Sequence, residues 1–149
     1  MGSYLIIAVL FVLKTSNAAL VFDFLEDLSC PPGGNHINST LVPYYIDYLT
    51  DDYPIDMHNH MLSSLQDFLY KDFKYVTLAV DHKLHLPYGT KVCIPAMNHH
   101  YLKFINFEIR DTSEELDSRG YEQFNVFVSS KKDTYDKVMN RDVGLFIYF

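Results

Sequence analysis

Short runs of β-branched and aromatic residues recur along this chain, and a turn or polar segment closes each one. Such side chains favour the pleated, half-buried surface of a sheet, so each run predicts a strand. The predicted strands are 41–49, 75–80, 91–94, 101–110, 124–128 and 145–149. Most connections between them are too short for repeated parallel crossovers. The order therefore favours a small barrel or an α+β fold, mainly β with minor α.

Between the first two predicted strands, the apolar residues change to a helical period. They recur at steps of three and four residues, which predicts an amphipathic helix over 56–71 with Asp56 as its N-cap. The stripe expected in the core consists of Met57, Met61, Leu62, Leu65, Phe68 and Leu69. A second short helix is predicted at 131–139, before the last strand.

The length and the charge of this chain limit the classes of protein to which it can belong. A chain of 149 residues with 48% hydrophobic side chains can bury one core and is too short for two domains. Its 12 Lys and Arg against 19 Asp and Glu give a net charge of −7, which argues against a nucleic-acid partner. The sequence has neither a Gly-rich phosphate loop nor a Gly-x-Ser-x-Gly turn, and we predict no cofactor.

The first residues have the pattern of a secretion signal. An uncharged apolar run at 4–13 is about half the length of a membrane span, and Ser16 and Ala18 supply small residues for cleavage. We predict a signal peptide at 1–18, an N-terminal arm with a Pro/Gly loop at 19–40, and one domain at 41–149. A buried N-terminal helix or a membrane anchor is the alternative, since no Lys or Arg precedes the run. The mature protein is expected to be secreted, with no membrane contact.

Secretion changes how the two cysteines and the one glycosylation sequon are interpreted. An oxidising compartment favours a Cys30–Cys93 disulfide. Two free thiols remain the alternative, because two cysteines have no diagnostic spacing. Asn38 begins the sequon Asn38-Ser39-Thr40 directly after a turn-rich segment, which predicts a glycosylated loop.

Six of the seven histidines occur in close pairs: His58 with His60, His82 with His85, and His99 with His100. Residues two apart on a helix point to different faces, and the other pairs lack an accompanying ligand at the spacing of a known zinc site. We expect these side chains to face solvent, and the sequence predicts no metal site.

From residue 78 onward, a series of short sequence motifs follows a recognisable order. It runs through Leu78-Ala79-Val80-Asp81, Leu86-Pro87-Tyr88-Gly89-Thr90, Ile109-Arg110-Asp111-Thr112, Gln123-Phe124-Asn125-Val126-Phe127 and Val143-Gly144-Leu145-Phe146-Ile147-Tyr148. This series resembles the three-aspartate (3D) domain of the double-psi β-barrel superfamily, found in membrane-bound lytic transglycosylase A, rare lipoprotein A and the first domain of expansins. The resemblance implies a six-stranded double-psi β-barrel, here with an inserted amphipathic helix.

The resemblance also implies a groove lined by three aspartates, and this chain departs from it there. Asp81 and Asp111 match the first two, although a lone aspartate at a strand end more often caps a turn. The third position, which carries acid–base work in the transglycosylases, is Asn125, and an amide cannot perform that work. The turn after Asp81 is longer by one residue, through His85. The 111–125 loop is also longer, by about three residues, with Ser113-Glu114 in place of Gly-Gly.

These departures favour binding over cleavage, since an asparagine still donates and accepts hydrogen bonds with sugar hydroxyls. We expect a secreted protein that binds an extracellular or cell-wall polysaccharide, such as peptidoglycan or chitin, through Asp81, Asp111, Asn125 and Tyr88. One alternative is a lytic transglycosylase-like enzyme that retains Asp111 and Asp81 and whose acid has moved to Asp117 or Glu122. Glu114 and Glu115 lie in the same loop. The other alternative is a secreted structural or effector protein that uses the barrel as a scaffold.

Overall fold

The structure, a computed structural model, describes residues 28–47 and 53–149. The predicted signal peptide, most of the predicted arm and the end of the first predicted strand lie outside the described residues. Within them the elements are β1 (Asn35–Tyr44), α1 (Leu65–Tyr70), β2 (Val76–Val80), β3 (Thr90–Cys93), α2 (Pro95–Tyr101), β4 (Phe107–Thr112), β5 (Gln123–Phe127) and β6 (Arg141–Tyr148). Four 3₁₀ segments occur at His82–Leu84, Glu114–Leu116, Gly120–Glu122 and Lys131–Tyr135.

The six described strands form a closed mixed barrel in the order β1-β5-β2-β4-β3-β6. The β1/β5 and β2/β4 pairs are parallel and the other four pairs are antiparallel. Exchanging β1, β2 and β3 with β4, β5 and β6 leaves both the order and the directions unchanged. The barrel therefore consists of two topologically equivalent halves, and the prediction of a mainly β, six-stranded barrel is confirmed.

Alternating positions along the strands fill the barrel, because successive side chains of a strand point to opposite faces. The inward set includes Leu41, Leu78, Val80, Phe107, Ile109, Phe124, Val126, Leu145 and Ile147, all nearly inaccessible to solvent. Thr77 and Ala79, on the opposite face of β2, are also buried. Consequently β2 is covered on both sides and forms the most enclosed strand described.

The predicted helix over 56–71 is wrong in its first half, because α1 begins only at Leu65. Ser64 is its N-cap and forms a capping box with Asp67. Upstream, Asp56 caps a turn by accepting the N–H groups of His58 and His60, and Asn59 has a left-handed φ of 62°. This turn competes with the helix for the same backbone groups and ends the helical pattern.

Because of this turn, two residues of the predicted apolar stripe lie outside the core. Met57 and Met61 are 40% and 56% exposed, so they are not core residues. Leu62, Leu65 and Phe68 are buried as predicted, and Leu69 packs against the core at partial exposure.

Strand β1 starts six residues earlier than predicted, because it pairs with β6 from Asn35 to Leu41. The sequon residue Asn38 therefore lies within a strand and not in a loop, although its side chain is exposed. Strand β6 likewise starts at Arg141 instead of residue 145. Each strand is extended by its antiparallel partner, a long-range contact that has no local sequence signal.

Two further boundaries differ from the prediction. The predicted strand 101–110 contains the end of α2, since Pro95 occupies the first turn of that helix and Leu102 ends it with a left-handed φ of 50°. Strand β4 follows only at Phe107. The predicted helix 131–139 is reduced to the 3₁₀ segment Lys131–Tyr135.

The predicted Cys30–Cys93 disulfide is confirmed, with an S–S distance of 2.08 Å and a Cα–Cα distance of 5.7 Å. It ties the segment before β1 to the end of β3. Next to it, the side chain of Asn98 donates a hydrogen bond to the Leu28 carbonyl. None of the helices in residues 28–47 and 53–149 has the length and apolar character needed to cross a membrane.

Candidate functional site

Ala79 lies at the centre of the face that carries two of the predicted site residues. It pairs with Asn125 on β5 and with Asp111 on β4. Leu78 and Val80 point into the core, so Ala79 and its partners face the outside of the barrel. Neighbouring strands are about 4.8 Å apart, which puts the Asp111 and Asn125 backbones about 10 Å from each other across this small residue. The structure thus brings these two predicted residues together.

A β-bulge determines that Asp111 is the residue opposite Ala79. The β2/β4 register runs Leu78 to Ile109 and then Ala79 to Asp111, so Arg110 is the extra residue. Without the bulge, Arg110 would occupy the position that Asp111 now holds. The bulge depends on pairing between strands, and no sequence pattern predicted it.

Asp111 is a half-buried hydrogen-bond acceptor. Its Oδ2 accepts a hydrogen bond of 3.0 Å from the Tyr44 hydroxyl, and its Oδ1 accepts the Thr112 N–H at 2.9 Å. Burial raises the pKa of Asp111 and the charge of Asp56 adds to the increase, while the two hydrogen bonds oppose it. Burial and the neighbouring Asp111 charge also raise the pKa of Tyr44 well above its usual value.

Asn125 begins a row of polar contacts that crosses three strands. Its Oδ1 accepts a hydrogen bond of 2.8 Å from Gln123 Nε2, and Gln123 pairs with Thr40 on β1. Thr40 pairs in turn with Asp142 on β6, and its hydroxyl donates to the Asp142 carboxylate at 2.7 Å. We call Asp111, Asn125, Gln123, Thr40 and Asp142 the outer polar band. Asn125 is only 3% exposed and Gln123 is half-buried, so Gln123 is the more accessible of the two amides.

The β6 end of the outer polar band opens into a cavity of about 630 Å³. Its lining residues are Asn38, Ser39, Thr40, Glu122, Asp142, Val143 and Gly144. The lining includes two carboxylates and no lysine or arginine. Two other cavities, of about 240 and 560 Å³, lie elsewhere, and none of the three is lined by Asp81, Asp111 or Asn125.

Asp81 follows β2 and binds backbone groups of two loops. Its carboxylate accepts the N–H of Lys83 and the N–H of Gly120, each at 2.9 Å. These hydrogen bonds, from Gly120 and then Lys83, lower the pKa of Asp81. The residue is 2% exposed, and its carboxylate fastens the turn after β2 to the loop between β4 and β5.

Tyr88 lies in a separate stack beside the band. Its ring is stacked on His58 at 3.9 Å between centroids, and the Arg110 guanidinium covers the other face at 4.4 Å. The hydroxyl donates to Asp56, and burial together with that hydrogen bond raises the pKa of Tyr88 to about 12. Both ring faces are therefore occupied by side chains of the protein.

Asp56 is the anchor of this stack, and sequence analysis missed that role. Its side chain has no exposed surface and lies 3.2 Å from Arg110 Nε. Burial alone would raise the pKa of Asp56, but hydrogen bonds from Tyr88, His60, His58 and Arg110 outweigh it and lower the pKa. The pair spans 54 residues of sequence, so no local motif could have revealed it.

The carboxylates proposed as a displaced acid have different surroundings. Asp117 lies 2.9 Å from His82 Nδ1 and 3.8 Å from Lys83 Nζ. Glu122 lines the cavity beside Asp142. Glu114 and Glu115 are exposed on a 3₁₀ segment.

The fold and the site define a closed, six-stranded mixed β-barrel with a polar band and a cavity on its outer face. Comparison with protein-family models and with curated proteins finds no match to this sequence.

Proposed function

We propose that this protein is a secreted double-psi β-barrel protein that binds an extracellular or cell-wall polysaccharide along the outer polar band without cleaving it. The closed barrel of two topologically equivalent halves is compatible with the double-psi architecture that the resemblance of the sequence motifs implies. The disulfide supports secretion, because such bonds persist in oxidising compartments.

The observation that carries the proposal is the register of Asp111 and Asn125 on either side of Ala79. Ala79 and Asn125 are buried, so the groups of this face that a ligand can reach are the half-buried Asp111 carboxylate and the Gln123 amide that donates to Asn125. Carboxylates and side-chain amides are the groups that hydrogen-bond sugar hydroxyls. The cavity at the end of the band, about 630 Å³, lies within the size range of ligand pockets.

The same residues account for binding without cleavage. Hydrolysis by paired carboxyl groups needs a proton donor and a base or nucleophile that flank the bond. Asp111 supplies one carboxyl group, while the partner position on β5 holds an amide that is buried and bonded to Gln123. A sugar chain on this face can be held, but the second carboxyl group is missing at the position across Ala79 from Asp111.

Binding and release of insoluble glycans test the proposal. The purified protein is incubated with peptidoglycan and chitin, and both the retained protein and the released sugar are measured. We expect retention without release, and we expect Asp111→Ala and Gln123→Ala to weaken retention by about tenfold each, the effect of losing a hydrogen bond to a charged or polar partner. Glu114→Gln, an exposed change outside the band, is the matched control.

Two results would overturn the proposal in different ways. Failure of the wild-type protein to bind any of the polymers would favour a scaffold role in a structural or effector protein. Sugar release that Asp111→Ala abolishes would show catalysis. Asn125→Asp restores the carboxylate, and release that appears only in this variant would support both the alignment with the 3D domain and the loss of activity.

A glycan-cleaving enzyme is the second candidate, and the place of Glu122 favours it. Glu122 and Asp142 line the same cavity, so a sugar bound there would have two carboxylates near it. Asp117 is less suited to this role, since it is engaged by His82 and Lys83. Sugar release by the wild type that Glu122→Gln abolishes would support the enzyme, and equal release by both would exclude Glu122 as its acid.

A further inference from the structure

The turn after β2 and the loop between β4 and β5 are joined by hydrogen bonds. Lys83 Nζ lies 3.1 Å from Ser118 Oγ, and the Gly120 N–H donates to Asp81. By the resemblance to the 3D domain, these are the two segments that are longer than usual. They contact each other on the same surface of the barrel.

Three side chains at this contact, those of Asp81, His82 and Asp117, are potential metal ligands that lie close together. His82 Nδ1 lies 2.9 Å from Asp117 Oδ1 and 3.8 Å from Asp81 Oδ1. One ligand atom from each residue lies within 4.8 Å of the other two. Ligand atoms bound to one zinc ion at about 2.1 Å are separated by about 3.4 Å in a tetrahedral site, so small side-chain movements would complete the geometry.

The three ligands differ in a way that suits a metal site. Asp81 is 2% exposed and fixed by two backbone N–H groups, and each of its oxygens retains a second lone pair. His82 and Asp117 are about half exposed, with side-chain exposures of 53% and 47%, so they can adjust and leave coordination positions open to water. Lys83 contacts Oδ2 of Asp117, which leaves Oδ1 to face His82.

We propose that Asp81, His82 and Asp117 bind a divalent transition-metal ion, with Zn²⁺ as the first choice. One imidazole nitrogen with two carboxylate oxygens favours such an ion over Ca²⁺ and Mg²⁺, which prefer oxygen ligands alone. The ion would clamp the two loops at the end of β2. This site shares no residue with the outer polar band, and the proposal does not depend on polysaccharide binding.

Calorimetric titration of the metal-free protein with ZnCl₂ tests the site. We expect saturable binding of one ion, and we expect His82→Ala and Asp117→Asn each to weaken it by at least about tenfold, as disturbing the ligand environment of a metal does. His85→Asn and Glu114→Gln change a nearby histidine and a nearby carboxylate outside the cluster, so they should leave the affinity unchanged. The changed side chains are exposed, and the urea transition of each variant checks that the fold is retained.

Several outcomes would overturn the proposal. One is the absence of saturable zinc binding. Another is an unchanged zinc affinity in His82→Ala, which would mean that the ion binds at another histidine. Equal affinity for Ca²⁺ would contradict the participation of the imidazole. In NMR spectra, zinc should shift the imidazole resonances of His82 before those of His58, His60, His99 and His100.

Discussion

Arg110 Nε lies 3.2 Å from Oδ2 of Asp56, and the Asp56 side chain has no surface exposed to solvent. The guanidinium also lies between two aromatic rings, 4.1 Å from the Tyr75 centroid and 4.4 Å from that of Tyr88. The Met57 N–H donates to the Arg110 carbonyl. This residue of the β4 bulge therefore holds the 54–61 loop against the barrel, next to Asp111.

Removing the carboxylate should destabilise the protein strongly. Asp56→Ala removes one of the two carboxylates that pair with Arg110 and leaves Glu108, 2.8 Å from its guanidinium, as the other. It also removes the acceptor of two backbone N–H groups and of the Tyr88 hydroxyl. Because these lost hydrogen bonds involve a buried charged group, we expect the free energy of unfolding to fall by about 3 kcal/mol, measured by urea denaturation. Glu115→Ala, an exposed change, is the control and should have little effect. A loss in Asp56→Ala as small as in the control would contradict the anchoring role.

Asp111 should make stability depend on pH with a sign opposite to that of most carboxylates. Because its pKa is raised in the folded state, the stability it contributes is present at low pH and is lost as pH rises through the folded pKa. Asp111→Asn should therefore unfold at higher urea concentration than wild type at pH 7. The difference in stability between the two proteins should diminish as the pH falls below 3.8, the ordinary pKa of an aspartate.

Asp67 provides the contrast for this measurement. Burial opposes the shift, but hydrogen bonds from Ser64 and Lys71 lower the pKa of Asp67, so its contribution to stability is present at neutral pH and lost on acidification. Asp67→Asn should be less stable than wild type at pH 7. Above pH 4 we expect Asp67→Asn to be less stable than the wild type. If Asp111→Asn were also less stable than the wild type at every pH, the charge of Asp111 would be favourable, which contradicts the prediction.

The disulfide should contribute stability mainly by restricting the unfolded chain. Cys30 and Cys93 are separated by 63 residues, which corresponds to about 4 kcal/mol in the loop-entropy model. We expect the double variant Cys30→Ala/Cys93→Ala to lose that amount in urea denaturation. Adding a reductant should weaken the wild type and leave the double variant unchanged. Equal sensitivity of both proteins to the reductant would contradict the assignment.

A glycan on Asn38 should compete with polysaccharide binding. Asn38 and Thr40 of the sequon line the same cavity, beside Asp142 of the outer polar band. Protein from a eukaryotic secretory host should show a mass shift that Asn38→Gln removes. The glycosylated form should then be retained less by insoluble glycans than Asn38→Gln. Equal retention of the two forms would place the binding surface away from this cavity.

Sequence alone predicted the features that depend on local pattern. The runs at 75–80, 91–94 and 124–128 match β2, β3 and β5 to within one residue at each end, because their β-forming side chains are continuous. The cysteine pair was also predicted, since the predicted secretion left Cys30 and Cys93 as the one possible internal bridge.

Tertiary structure decided what depends on contacts between distant residues. The helical pattern at 56–64 gave way to a turn because the Asp56 carboxylate accepts the N–H groups of His58 and His60 and pairs with Arg110, 54 residues away. Strand β1 was extended by β6, and a bulge on β4 set Asp111 opposite Ala79. Periodicity reports which face of an element is apolar, whereas strand register and long-range ion pairs arise only when separate segments meet.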